Sequence, residues 1–308
     1  MVGLRPEFAW RQRAPALLRA RPSCLVWHGT LMLVFQPAEE TINGARAMFN
    51  DGLYTRFPRP DLIIAEHDTP ALAAGTAGYA PGYVTASTTS IRIVLHGVSA
   101  HGSSPELGKD PVVAAAQLVL ALQTIVSRET SPFDQAVVTV GSIQAGTKNN
   151  IIPDSATPLL TVRTYKEAVR QTILDSITRM AKGVALAAGL PADQPPTVQV
   201  SEYTKPVYND PGLTARAVPV LQRALGAANV TEVPPVMGSE DFGYFGLDHA
   251  IPELFLHLGT VSAQALAASR ASGIPLPSLH SSKLAPLPEP TIRTGVTAMT
   301  SLALALLH

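Results

Sequence analysis

The chain lacks most of the features that announce a specialised protein. Cysteine occurs once, at Cys24, which excludes an internal disulfide framework and any zinc ribbon or finger. Neither sign of charge is in excess. The 23 Lys and Arg balance 23 Asp and Glu, so the basic surplus of a general nucleic-acid or anionic-membrane binder is missing. No run of consecutive apolar residues has the length of a bilayer span, and no transmembrane helix is expected. Charged residues make up only 15% of the 308 and hydrophobic ones 46%. The globular average for charge is about 25%, so disorder is disfavoured and a sizeable core is expected. Also absent are a G-x-S-x-G nucleophile elbow, a P-loop, a G-x-G-x-x-G loop and an H-E-x-x-H helix.

What is present is turn chemistry and alternation. Glycine (22) and proline (27) are abundant, which predicts many tight loops. The first 25 residues hold five arginines and one acid, Glu7. They contain no apolar stretch of signal-peptide length, so secretion is not indicated and a cytoplasmic location is expected, with an organellar leader as the lesser alternative. Thr30–Phe35 and Asp61–Ala65 read as two buried strands of a parallel sheet, with a helix from Gly44 to Asn50 between them. Residues 70–86 read as irregular. Over about 87–203 the order is β-α-β-β-α-β: strands at Ser90–His96, Ala136–Ile143, Pro158–Tyr165 and Thr197–Tyr203, and helices at about 110–128 and 167–188. The first helix opens on Asp110-Pro111 and has Val113, Leu120 and Ile125 among its apolar positions; the second carries a stripe of Val169, Ile173, Ile177, Met180 and Val184. That order matches a ferredoxin-like split unit. Helix and strand material resumes after it, with a helix over about 211–225, strands near 230–233 and 254–258, and a last helix from about Pro290. One domain inserted into another is expected.

Several residues have the chemistry of a site. Glu39-Glu40 follows the first expected strand, and His67 is expected to end the second, where open α/β sheets bind ligands. Two adjacent carboxylates allow one to hold a metal and the other to act as a general base; by themselves they read more often as a solvated helix start. His280 lies in a Pro/Ser-rich loop before the last helix. Glu and His donors suit zinc, manganese or cobalt better than calcium. His101 sits in a Gly/Ser loop, Ser99-Ala100-His101-Gly102-Ser103, either as an acid/base group or on a plain surface turn. Arg163, inside an apolar strand, needs an anionic partner if buried, from a substrate or from the protein. Asn150 lies in the same unit, and Gly238-Ser239-Glu240-Asp241-Phe242 reads as a tight turn.

In order along the chain stand Gln36-Pro37-Ala38-Glu39-Glu40, Ala100-His101-Gly102-Ser103 with Asp110-Pro111-Val112, Asn150-Ile151-Ile152-Pro153-Asp154, Thr161-Val162-Arg163-Thr164, Gly238-Ser239-Glu240-Asp241-Phe242 and Leu279-His280-Ser281. The series resembles the metal-dependent aminoacylase/carboxypeptidase amidohydrolases, most nearly the hippurate, indole-acetyl-amino-acid and N-acyl-amino-acid hydrolases, over about residues 28–308. The resemblance implies an α/β, zinc-exopeptidase-like catalytic domain (1–86 and 204–308, incomplete at its start). Into it is inserted a ferredoxin-like α+β lid (87–203) through which the chain forms a homodimer. It implies Glu39 as general base, Glu40, His67 and His280 as ligands of one or two divalent ions, His101 as oxyanion donor, and Asn150 and Arg163 near the substrate, an N-acyl amino acid or short peptide. One departure stands out: the family's upstream His-x-Cys-Gly-His-Asp-type motif has no counterpart here, and Cys24 lies in another context. A truncated, inert relative that dimerises or binds a small molecule is therefore the second reading.

Overall fold

The computed structural model describes residues 29–307; the arginine-rich start, Cys24 and His28 lie outside the described residues. In chain order, the first helices and strands are α1 (Gly44–Asn50), α2 (Leu53–Arg56), β1 (Ile63–Ala73), β2 (Ala77–Tyr79) and β3 (Gly82–Thr85). Next come β4 (Ser87–His96), β5 (Ala100–His101), α3 (Pro111–Thr124), β6 (Ala136–Ala145), β7 (Ile151–Ile152), β8 (Ser155–Thr164), α4 (Glu167–Ala187) and β9 (Thr197–Thr204). The chain finishes with β10 (Val207–Asn209), α5 (Pro211–Leu225), β11 (Val230–Glu232), β12 (Glu253–Val261), α6 (Ala263–Ser272) and α7 (Pro288–Leu306). The fold is mixed α/β, as expected.

β12 organises the larger sheet. It pairs in parallel with β1, from Ile63↔Glu253 through His67↔His257 to Thr69↔Gly259. Its other edge takes β10 and β2, and β11 and β3 complete the sheet. Alternation along the strand sends its side chains to two cores. Leu254 and Leu256 pack with Leu213, Leu221, Ala298 and Leu302 of α5 and α7. Phe255 packs with Ala45, Leu53, Phe242 and Phe245 on the opposite face.

The second sheet has four antiparallel strands in the order β6-β8-β4-β9, the order of a ferredoxin-like β-α-β-β-α-β unit. Ile91, Ile93 and Leu95 alternate inward from β4 and meet Leu118 and Leu122 of α3 and Ile173 and Ile177 of α4. Local signals start these helices where the sequence says. Asp110 Oδ1 accepts from the backbone N–H of Val112 at 2.8 Å and of Val113 at 3.4 Å, and Pro111 opens the helix at no hydrogen-bonding cost. Asp210 caps α5 in the same way, accepting from Leu213 N at 2.6 Å.

Four expectations are corrected. Thr30–Phe35 forms no strand, and Leu31, Leu33 and Val34 are exposed. An apolar run becomes a strand only against a neighbouring ladder, and among the described residues β1 pairs with β12 alone. β1 runs on to Ala73 because β12 pairs with it that far, so His67 lies within the strand rather than at its end. The stretch 70–86 is not irregular, since β2 and β3 are held by β11, β12 and β10. α3 buries Ala114, Ala115, Leu118 and Leu122, leaving Val113 and Leu120 exposed. With the π-turn that follows it, α3 is also long and apolar enough, by length and composition, to cross a membrane (Pro111–Glu129), although it packs one face on the four-stranded sheet.

Truncating Leu118 to Ala, at a position with no exposure, should cost about 2–5 kcal/mol, whereas Asp110→Ala should cost about 1 kcal/mol. Urea unfolding of the two variants checks the ranking; equal costs would contradict the packing described for α3.

Candidate active site

The site is built around a carboxylate joint. Asp241 is 1% exposed. Its Oδ1 accepts from Gln36 Nε2 at 2.5 Å and its Oδ2 from the backbone N–H of Ala45 at 2.9 Å, in the first turn of α1. Burial of a charge requires such partners. Together they pin the segment from Gln36 to Gly44 against the turn that carries Glu240. Within that segment Glu39–Thr41 forms a single 3₁₀ turn between two left-handed residues, Ala38 (φ 60°) and Ile42 (φ 57°). A β-branched residue rarely adopts such a φ, so the local conformation is imposed by its surroundings. His280 is left-handed as well, at φ 66°.

Three carboxyl groups crowd this joint. Glu39 is half-buried, and burial holds its carboxyl above the usual carboxylate range. The neighbouring charges of Glu40 and Asp241 push the same way, and His67 and a hydrogen bond from Glu240 oppose them. Glu240 is nearly buried and accepts from the backbone N–H of Phe242 at 3.0 Å. Burial, and then the charge of Glu39, raise its carboxyl to about 8.

The histidines differ in what they offer. His67 Nδ1 lies 2.7 Å from the carbonyl oxygen of Asp68. A carbonyl only accepts, so Nδ1 carries the proton and Nε2 presents a lone pair. His101 is the reverse: the backbone N–H of Ser103 donates to its Nδ1 at 3.1 Å, and Ser103 Oγ lies 2.6 Å away. Its Nε2 therefore bears the hydrogen and is a donor. His257, in register with His67 on the adjacent strand, is held down to about 4 by burial and then by His67.

The structure brings together some of the residues singled out from sequence. His280 Nδ1 lies 3.6 Å from Glu40 Oε1, both side chains being mostly exposed, and Glu39 is within electrostatic reach of Glu40 and His67. Arg163 reaches from β8 to the same turn, where its Nη1 donates to the carbonyl of Met237 at 2.9 Å and lies 3.5 Å from Ser239 Oγ. No carboxylate pairs with it among the described residues. Asn150 is exposed, and its carbonyl accepts from Gly102 N at 2.7 Å, closing the His101 loop through the β5·β7 pair. Neither His101 nor Asn150 contacts the Glu39 group. Glu240, Asp241 and His257 escaped assignment to the site. The signal for the first two was the Gly238-Ser239-Glu240-Asp241-Phe242 segment, one of the stretches that carry the family resemblance.

The described residues do not fit a metal ion on their own. Among them no group of three His, Cys, Asp or Glu side chains converges closely enough to hold one. Glu40 and His280 supply two adjacent donors, and the Nε2 lone pair of His67 is not joined to them. The convergence of Glu40, His67 and His280 expected from sequence is thus only partial, because Glu40 projects into solvent from a one-turn segment.

Glu39→Gln should lower the Glu240 carboxyl from about 8 while leaving it above 4.5, since burial is its first cause and persists. Carbon-13 NMR titration of the glutamate carboxyls reads this directly; an unchanged Glu240 would separate the two groups.

A profile of peptidase family M20/M25/M40 matches residues 15–281. The N-acetyldiaminopimelate deacetylase of Leuconostoc citreum is 37% identical over 229 residues, 74% of this chain and 58% of that protein. The hippurate hydrolase of Campylobacter jejuni is 36% identical over 220 residues, 71% of this chain and 56% of that one. A crystal structure from Bacillus subtilis, described as a dinuclear metal-binding peptidase of the M20 family, superposes with a TM-score of 0.65 at 26% identity, covering 89% of this chain and 64% of the other. The chain thus spans somewhat more than half the length of these curated relatives.

Proposed function

The chain belongs to peptidase family M20/M25/M40, and from that membership we propose that it hydrolyses the amide bond of N-acyl amino acids with Glu39 as the proton-transfer group. The observation that carries the reading is the Glu39 carboxyl itself, half-buried among other carboxylates and held above its usual range by that setting. Such a group takes a proton more readily near neutrality than an exposed glutamate does. In the reaction, Glu39 accepts a proton from water as the oxygen attacks the amide carbonyl, and returns it to the departing nitrogen as the C–N bond breaks. His101, apart from the Glu39 group of its own chain and with its Nε2–H turned outward as a donor, suits the oxyanion in the site of a second copy. Arg163, satisfied only by a carbonyl and a hydroxyl, retains donors for a substrate carboxylate. Asn150 shapes the loop that carries His101.

Substrate class is supported by the relatives, which are named for deacetylation of N-acetyl compounds and for hippurate hydrolysis. The family reading includes a divalent ion, zinc, manganese or cobalt, drawing on Glu40, His67 and His280. The described residues hold too few converging donors for it. In the domain reading, 87–203 is an inserted lid between catalytic segments 1–86 and 204–308, and the lid pairs two copies into a homodimer. The exposed apolar side chains Val112, Val113 and Leu120 of α3 and Val126 of the π-turn after it support such pairing. A single cysteine fits a reducing compartment such as the cytoplasm. The second reading, an inert relative that binds small molecules or dimerises, is favoured by the same shortage of donors.

Two measurements decide. Glu39→Gln should lower turnover of N-acetyl amino acids and hippurate by at least about 10²-fold, with bound metal unchanged by elemental analysis. Full activity in that variant would refute the assignment, and a wild-type chain that neither hydrolyses nor retains metal would favour the inert relative. Leu120→Glu should convert a dimer to a monomer by light scattering; a monomeric wild type would remove the lid-pairing part of the reading.

A further inference from the structure

A second buried carboxyl lies apart from the Glu39 cluster, beneath the loop that enters β12. Leu247, Asp248 and His249 have φ of 50°, 56° and 69°. Three consecutive left-handed residues, none of them glycine, form a turn that L side chains resist and that persists only where the surroundings hold it. The restraints are specific. Lys205 Nζ donates to Asp248 Oδ1 at 2.5 Å, Arg59 donates to the carbonyl of Ala250 at 2.8 Å, and the Tyr208 ring meets His249 edge-on with centroids 4.6 Å apart. Within the turn, Ala250 N donates to Leu247 O at 3.2 Å and Ile251 N to Gly246 O at 3.0 Å.

Glu253 supports this turn from below. It is 2% exposed. Its Oε1 occupies the space that a side chain at Gly246 would need, 1.5 Å from the position of a Cβ there, and its Oε2 has no hydrogen-bond partner among the described residues. The backbone amides of Tyr208 and Gly246 face it, as do Lys205 and Asp248, which act on it in opposite senses. Tyr54 faces it from α2 and is itself pushed up to about 12 by burial and then by Glu253, with Arg59 opposing.

We propose that Glu253 is a proton-operated latch for the left-handed turn Leu247–His249: protonated, it lies under Gly246 and the turn is held; ionised, it takes Lys205 from Asp248 and the turn relaxes. The proton leaves to solvent, and no other group changes its covalent state. Burial raises this carboxyl to about 8. Because the folded chain holds the proton more tightly than the unfolded chain, stability is full below the unfolded value of 4.5 and is lost as pH rises toward about 8. The turn follows directly on the segment Glu240–Phe245, so its relaxation loosens the carboxylate joint at Asp241. The inference stands whether or not the chain hydrolyses amides.

Hydrogen-exchange mass spectrometry on the full chain from about pH 6 to about pH 10, corrected for intrinsic rates, tests it. Protection at Ala250 and Ile251 should fall about tenfold per pH unit as pH rises toward about 8, level off above that titration midpoint of the held carboxyl, and stay flat in Glu253→Gln. Lys205→Met should move the wild-type midpoint up and Asp248→Asn should move it down. Identical pH profiles for wild type and Glu253→Gln would overturn the latch, as would both charge variants shifting the midpoint the same way. Should Glu253→Gln fail to fold, the opposed shifts of the other two decide.

Discussion

Asp241 joins stretches of chain that are far apart in sequence, and the local structure depends on that joint. Its carboxylate takes hydrogen bonds from Gln36 and Ala45, 205 and 196 positions away. A buried carboxylate without such donors would cost more than most single contacts return, so the joint also selects the conformation of everything attached to it. The segment from Gln36 to Gly44 is bent through left-handed Ala38 and Ile42, and α1 begins where its first amides find an acceptor. The interaction that positions Glu39 also supplies negative charge beside it. Position and proton affinity are therefore set by one group.

Backbone contacts decide the chemistry of the histidines in a comparable way. A carbonyl beside Nδ1 of His67 and an amide beside Nδ1 of His101 give opposite tautomers. One ring offers a lone pair and the other an N–H, although the side chains are identical. The parallel register of β1 and β12 adds a second imidazole beside His67, but burial keeps His257 neutral. It contributes little positive charge beside His67. The guanidinium nearest the turn, that of Arg163, is directed to Met237 and Ser239 rather than to the acids.

Sequence was most informative where the determinant is local. Asp-Pro openings at 110 and 210 mark true caps, and the stripe from Val169 to Val184 faces the core beside Ile173 and Ile177. It was least informative where structure depends on distant partners. The length of β1 is set by β12, nearly two hundred residues downstream. The run Thr30–Phe35 has strand composition but no ladder to join. α3 is apolar nearly all round, so periodicity does not choose its buried face, and the small residues Ala114 and Ala115 fit against the sheet where Val113 does not. Glu39, Glu40 and His67 were visible as residue types. Glu240 and Asp241 were not assigned, because a Gly-Ser-Glu-Asp turn looks like solvent-exposed loop until Gln36 and Ala45 are placed against it.

The raised carboxyls give the site a physical direction. Glu39 and Glu240 are held up first by burial and then by neighbouring negative charge, so each proton they keep reflects lost solvation and, added to it, repulsion the fold has not relieved. Two kinds of partner relieve it: a proton, which a general acid/base must exchange, or a cation, which needs several donors aimed at one point. The proton is accommodated by residues already in place. The cation is not, since Glu40 and His280 converge only with one another. On the proposed reading, proton transfer at Glu39 is the part of amide hydrolysis that these residues would perform, and ion binding is the part that requires donors beyond them.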